Sequence, residues 1–344
     1  MEGFIAFVVI LGVLVALHEF GHMMVAKAFH VKVDEFGLGF PPRLIKLFTW
    51  GSTDFTLNAL PLGGFVRMAE DDPASPGSLA SKKPLVRALV LVAGPLTNLI
   101  LAILLLSVTF MAGTLEPYDG PGAGVYGVSL RSPAEAAGIA PGDNIISIDG
   151  QTIETADQVS QIVQQRLGQE VTLVVTRNGE ELAPIKLVPR TGPPPGEGAI
   201  GIAVDLPLKI VKYPIWEAIP LGAKTSYLMM RNLFRTIAAA FRKEVAFEVT
   251  GVIGMYRMTK QVAQTGLIRL LEFAGFLSVN FALLNIMPIP ALDGGRLIFA
   301  LLEWIRGGQK IPPEKEGLVH LVGMVLLVAL MVAVAVLDYN RYFR

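Results

Sequence analysis

Apolar residues along this chain gather into four long runs separated by stretches of mixed character. The uncharged runs are Gly3 to Leu17, which continues to Lys27 apart from HEFGH at 18–22, then Ala88 to Leu115, Phe273 to Leu292 and Gly317 to Leu337. Roughly 20 helical residues, rising about 1.5 Å each, cross the hydrocarbon core of a bilayer. Each run is long enough, the first only if it includes HEFGH. The pattern predicts a polytopic α-helical membrane protein with four transmembrane helices. A cleaved leader would need a basic start and a small-residue cleavage site. Here the chain opens Met-Glu-Gly and a polar motif follows the apolar run, which favours a span.

The intervening stretches change period. DEFGLGFPPRLIKLF and DFTLNALPLGGFVRM, within 34–68, alternate apolar and polar residues around Gly and Pro and read as strands. They suit a β-hairpin dipping into the bilayer, with its backbone groups paired or facing a wet cavity, or a small sheet at headgroup level. ASPGSLASKKP, 74–84, has linker composition. Between 121 and 204 the runs VYGVSL, NIISIDG, VTLVVTRNG and PIKLVP predict strands bounded by Gly, Pro and Asp turns, with one helix over 156–167.

SPAEAAGIAPGDNIISIDG and LVVTRNGE resemble a bacterial PDZ domain, a β/α module. GAIGIAV at 198–204 is similar to the carboxylate-binding loop and strand of such domains, but its C-terminal place implies a circularly permuted order. The module then either captures a chain end by backbone N–H groups and strand addition or blocks access sterically. Residues 205–265 set Trp216, Tyr227, Phe234 and Phe241 among Lys224, Arg231, Arg235, Arg242 and Lys243. That mixture fits an amphipathic helix on the membrane surface, or a solvated helix packed on the module.

The expected order is therefore a first span over 1–27, a cytoplasmic loop with strands over 28–84 and a second span over 85–115. An inserted PDZ-like domain follows over 116–204, then a membrane-surface segment over 205–265. A third span occupies 266–290, a loop and helix 291–316, the fourth span 317–338 and a tail 339–344.

Composition agrees with a bilayer as partner: the 344 residues are 52% hydrophobic and 17% charged. The formal net charge is zero, which argues against a nucleic-acid partner, and no cysteine is available for disulfides or thiolate ligands. Lys27, Lys32, Arg43, Lys46, Arg67, Lys82, Lys83 and Arg87 stand between the first two spans, and Arg296, Arg306, Lys310 and Lys315 between the last two. The positive-inside rule then places both loops in the cytoplasm, and both termini and the 116–265 segment outside.

HEFGH carries the candidate chemistry. On a helix His18 and His22 lie at i and i+4 on one face, where two imidazoles can share one metal ion, and Glu19 stands beside the first as a potential base. Ionisable groups in a span are costly and point to function, although a His/Glu cluster could simply pack spans together. Catalytic zinc usually takes three protein ligands, and His30 follows without a suitable spacing. In NFALLNIMPIPALDGGRL, 280–297, Pro288 and Pro290 end the third helix and Asp293 precedes two glycines. Asp293 is placed either to ligate a metal or to cap the helix expected at 295–306.

Together HEFGH, GPLTN at 94–98, the PDZ-like module and the run Asn285, Pro288, Pro290, Asp293, Gly294 resemble the site-2 protease family of intramembrane zinc metalloproteases, of the bacterial regulator-of-sigma-E protease type. The resemblance implies one Zn2+ held by His18, His22 and Asp293, with Glu19 as general base. It implies that Asn285, and less directly Asn98, help hold substrate backbone, and that Gly37 to Pro41 and Phe55 to Met68 form a re-entrant hairpin. Implied too are a bacterial inner-membrane location and substrates that are single-span membrane proteins such as anti-sigma factors or signal-peptide remnants, cut after an earlier cleavage. The chain has room for one PDZ module, where the best-known enterobacterial member has two in tandem.

With Lys27 as marker of the cytoplasmic interface, His18 lies about 13 Å deep by helical rise, in the cytoplasmic half of the bilayer. A non-enzymatic adaptor that binds peptides through the PDZ-like module, and a metal transporter, are the competing functions. The transporter would need polar groups in several spans, and the fourth carries only His320.

Overall fold

The computed structural model describes residues 2–69, 77–129, 131–194, 196–242 and 250–343. In the order of the chain, helix α1 (Glu2–Ala28) leads into strands β1 (Val33–Trp50) and β2 (Thr53–Met68), then helix α2 (Pro84–Ala112). An inserted unit follows, holding β3 (Thr114–Pro117), β4 (Ala123–Val128), α3 (Pro133–Ala136), β5 (Asn144–Ile148), β6 (Gln151–Thr152), α4 (Ala156–Gln165), β7 (Val171–Arg177), β8 (Glu180–Glu181), β9 (Ile185–Leu187), β10 (Ile202–Asp205) and β11 (Leu208–Val211). Helices α5 (Ile215–Phe241), α6 (Val252–Gln264), α7 (Leu267–Ile286), α8 (Asp293–Ile305) and α9 (Pro313–Phe343) complete the chain. Compact units comprise 1–109 with 215–344, and 110–214.

Among the described residues four helices are long and apolar enough to cross a membrane: Gly3–Ala28, Pro84–Ala112, Leu267–Ile286 and Glu314–Arg341. They coincide with the four apolar runs. The fourth begins earlier and ends later than its run, so the tail expected at 339–344 is helical through Phe343; nothing in its sequence breaks a helix before that point. The segment expected to be one surface helix over 205–265 opens with strand β11, which pairs with β3 and extends the inserted unit to 214, and its described remainder forms two helices, α5 and α6. Trp216, Tyr227 and Phe234 are exposed on α5, and Lys243 lies outside the described residues. Of the expected linker at 74–84, residues 74–76 lie outside them too, and 79–81 form a short 3-10 turn capped by Ser78.

The two long strands fold into more than a simple hairpin. Phe36, Gly37 and Leu38 pair with Val66, Phe65 and Gly64 on one side, and with Phe55, Thr56 and Leu57 on the other. Residues 53–58 pair in turn with 43–50, through Trp50↔Thr53, Phe48↔Phe55 and Arg43↔Asn58. The order across this small sheet is thus 64–68, 33–40, 53–58, 43–50. Its first edge rests on α1: Met23, Ala26, Val31, Val33, Phe36 and Val90 form one buried cluster joining α1, β1 and α2. The opposite edge shows Leu44, Ile45, Leu47, Phe48 and Trp50, all exposed. An apolar blade of this kind suits immersion among acyl chains better than water.

The inserted unit is built on a sheet of order β10-β4-β5-β7-β8, with β6 and β9 at its margins, and a two-stranded β11-β3 sheet. Val125, Ile145, Ile148, Leu173 and Val175 alternate into its core, and α4 closes it with Val159 and Val163. The expected strands and helix fall where their periodicity placed them. β10 pairs antiparallel with β4, so the last strand of the larger sheet forms its edge beside the first.

Within the unit an ion pair on a buried carboxylate ties sheet to turn: Arg177 donates through Nε to Asp143 Oδ1 (2.7 Å) and through Nη2 to Oδ2 (2.8 Å). This bidentate contact holds the Arg177 guanidinium above its usual pKa. Asp143→Ala would strand the arginine and free the Ala140 N–H that the same carboxylate accepts. Because Arg177 is partly exposed, the loss is expected at about 2–3 kcal/mol, read as a lower urea midpoint for residues 110–214 expressed alone, with an unchanged slope.

Candidate metal centre

His18 and His22 sit one turn apart on α1, and both are buried. The small residues of α2 allow this. A Cβ on Gly94 would lie 2.2 Å from His22 Nε2 and 2.8 Å from His18 Cε1, and one on Gly21 would meet Thr97 Oγ1 at 2.2 Å and Ala93 O at 2.7 Å. Glycine at both places brings the helices close enough for the imidazoles to reach past α2. This explains the GPLTN run, and Gly21 and Gly94 are site residues that inspection of the motif by itself had not picked out.

Asp293 comes from the far end of the chain. After α7 ends at Ile286 the backbone extends through Pro288 and Pro290, turns, and enters α8 with Asp293 as its first residue. Gly294 and Gly295 are required there: a Cβ on either would lie 2.2–2.4 Å from the carbonyl oxygens of Met287 and Ile289. The cap position belongs to Leu292, which makes no side-chain cap bond. The Asp293 carboxylate instead faces the histidines.

Its Oδ2 lies 3.0 Å from His18 Nε2 and 3.2 Å from His22 Nε2, and the two Nε2 atoms are 3.2 Å apart. Among the described residues this is the one group of three such side chains able to share a metal ion. A tetrahedral ion with bonds of about 2.0–2.1 Å separates its ligand atoms by about 3.3 Å, close to this triangle. The proton positions argue the same way. His22 Nδ1–H donates to the Val90 carbonyl at 2.7 Å, which leaves the Nε2 lone pair facing a carboxylate oxygen, two acceptors that a cation would reconcile.

Asn98 is wholly buried behind this pair, with its Nδ2 3.3 Å from His18 Nδ1 and its Oδ1 without a hydrogen-bond partner. A half-turn of the amide sets that orphan oxygen against Nδ1–H and leaves His18 Nε2 bare toward Asp293. The Asn98 carbonyl in turn accepts from Ser278 Oγ on α7 at 2.7 Å, joining the second and third spans beside the site. Glu19 faces the sheet edge, where the Val66 backbone hydrogen-bonds to its carboxylate, and a Cβ on Gly64 would lie 3.9 Å from its Cγ. Asn285 is half-buried near the end of α7.

An HExxH helix completed by a carboxylate from a distant helix, within a set of apolar helices, is the arrangement of an intramembrane metallopeptidase site. A profile of peptidase family M50 matches residues 6–330, and the chain belongs to that family, the site-2 proteases. Among its relatives, a protein of Clostridium acetobutylicum provisionally assigned as a zinc metalloprotease is 33% identical over 95% of this chain and 94% of its own length. The zinc metalloprotease RasP of Oceanobacillus iheyensis is 30% identical, with all of both chains covered. RasP of Geobacillus kaustophilus is 26% identical over 100% of this chain and 99% of its own.

The crossing of α1 and α2 makes a direct prediction. Gly94→Ala pushes a methyl group into the imidazole pair and is expected to lower metal affinity roughly tenfold or more. Gly12→Ala, whose added Cβ meets nothing within 4 Å, should leave it unchanged; metal content of the purified proteins after dialysis against a graded chelator reads both.

Proposed function

We propose that this protein is a zinc-dependent intramembrane endopeptidase that cuts transmembrane segments of single-span membrane proteins within the cytoplasmic half of the bilayer. The observation that carries this reading is the convergence of His18 and His22 with Asp293, 275 residues from His18, next to a glutamate and a sheet edge. His18, His22 and Asp293 are the residues that would hold zinc, and Asn98 fits the role of orienting His18. When bound, zinc supplies a Lewis acid for the scissile carbonyl and lowers the pKa of water toward 7. The zinc names of the relatives support this cofactor.

Glu19 takes the proton of the attacking water on its carboxylate and passes it to the leaving amide nitrogen. A transmembrane helix hides its peptide bonds behind its own hydrogen bonds, so the substrate must unwind before the cut. Strand 64–68 has a partner on one side only among the described residues, and its open edge runs past Glu19. An unwound substrate added there as a further strand satisfies backbone groups that would otherwise cost several kcal/mol each in lipid. Segment 53–58 is enclosed by neighbours on both sides and cannot take this role. Asn285, whose amide makes no hydrogen bond to any described residue, is available to hold substrate backbone from α7.

The inserted unit, read as an extracytoplasmic PDZ-like domain, acts as a filter that turns away substrates with bulky outer domains. The cut then follows an earlier one, as in regulated intramembrane proteolysis of anti-sigma factors or signal-peptide remnants. α5, with Trp216, Tyr227 and Phe234 exposed, lies on the outer membrane surface, and the protein is a multi-pass component of the bacterial inner membrane.

Glu19→Gln is expected to keep zinc and fold yet lower cleavage of a single-span reporter at least 100-fold, whereas Asp293→Ala should lose zinc as well as cleavage. Undiminished cleavage by Glu19→Gln, or product ends mapped to the outer half of the span, would overturn the reading. Deleting 121–204 should let substrates with intact outer domains be cut; unchanged selectivity would remove the filter.

A further inference from the structure

Helix α9 is the most exposed of the four long apolar helices, and most of its large apolar side chains are exposed. Two of its residues do not fit a plain anchor. His320 is an imidazole in an otherwise apolar run, and Gly323 stands three residues on, on the same helix face. Both meet the turn that delivers Asp293.

We propose that α9 is a positioning element of the metal centre, in which His320 and Gly323 hold the 289–291 turn in the conformation that presents Asp293 to His18 and His22. This rests on the reading of Asp293 as a zinc ligand. Ala291 adopts φ +76, a left-handed conformation that a residue with a Cβ adopts only when its surroundings impose it. Its N–H donates to His320 Nδ1 at 3.1 Å, and this bond aims the peptide just before Leu292 and Asp293. One turn along α9, a Cβ on Gly323 would lie 2.3 Å from Pro290 Cβ and 2.8 Å from its carbonyl carbon. Histidine thus supplies an acceptor and glycine a seat for the two residues that set the path of the turn.

His320 is held in place in its own right. Its ring lies against Phe299 of α8, with centroids 5.5 Å apart. With Nδ1 accepting from Ala291, the ring proton sits on Nε2, which is buried and lies 3.8 Å from Glu316 Oε1. Glu316 Oε2 is 3.8 Å from Arg87 Nη2, and the same guanidinium bonds Glu303 Oε2 through Nη1. Glu303 Oε1 accepts the Ile311 N–H at 3.3 Å. The start of α9 is therefore tied to α2, which backs the histidines, and to α8, which carries Asp293. At the other end α9 has a separate tether, Asp338 Oδ2 accepting the Gly254 N–H of α6 at 2.9 Å, which anchors the helix without touching the turn.

The test compares zinc affinity of the full-length protein in detergent, by competition with a chromogenic chelator, with cleavage and thermal midpoint followed alongside. His320→Leu, which removes the acceptor, is expected to weaken zinc binding 10- to 100-fold, in the range found for groups that orient metal ligands. His320→Asn, whose amide oxygen can take the place of Nδ1, should recover affinity to within about threefold. Gly323→Ala should weaken binding as His320→Leu does, and it carries the test if His320→Leu does not yield folded protein. Asp338→Leu should lower the midpoint and leave zinc affinity unchanged. Wild-type affinity in both His320→Leu and Gly323→Ala, or an equal loss in Asp338→Leu, would overturn the proposal. If Asp293→Ala itself binds zinc as tightly as wild type, the ligand assignment fails; if it loses zinc while the α9 variants keep it, the proposal for α9 alone fails.

Discussion

Two imidazole lone pairs and a carboxylate oxygen, brought within 3.0–3.2 Å of one another among apolar helices, form the contact on which the rest of this structure depends. Unpaired, such groups would be expensive to bury in lipid, and each pairwise contact here sets acceptors face to face unless a proton or a metal ion lies between. The surrounding groups remove the alternatives. Val90 fixes the His22 tautomer, Asn98 stands behind His18, and the two glycines after Asp293 let its turn pass close under the end of α7. Glycines at 21 and 94 are the complementary requirement on the other side, since the imidazoles need the space a side chain would fill.

The small sheet serves the same centre in another way. A free strand edge at membrane depth is a liability, because its N–H and C=O groups have no water to bond. Here the enclosed strands 33–40 and 53–58 carry the pairing, and 43–50 forms one edge with Leu44, Ile45, Leu47 and Phe48 exposed. The remaining edge, 64–68, lies beside α1 with Glu19 close to Val66 and Gly64. One unpaired edge of the sheet thus stands next to Glu19.

Much of this was legible without coordinates. Hydropathy depends on composition over about 20 residues, so the four spans were plain, and the period-2 runs between 123 and 187 marked strands of the inserted unit where they form. HEFGH was legible because histidines at i and i+4 meet through local geometry alone. Less legible were the ends of elements and the division of 205–265 into two helices, since these depend on packing against neighbours. The double pairing of 33–40 was out of reach, because alternation names a strand but not its partners.

The sequence by itself determined that four segments form helices long and apolar enough to cross a membrane, that a β-rich unit is inserted between the second and third of them, and that the first carries two potential ligands with a glutamate beside them. It also pointed to Asp293, though with helix capping as an equal role. The tertiary structure gives the cap position to Leu292 and turns the Asp293 carboxylate to the histidines. It also sets Asn98 behind His18, the 64–68 edge beside Glu19, and His320 of α9 against the turn before Asp293. The physical reason is the same in each case: a helix or strand is encoded by its neighbours in sequence, whereas a ligand set, a sheet edge and a supporting hydrogen bond are made by residues tens to hundreds of positions apart.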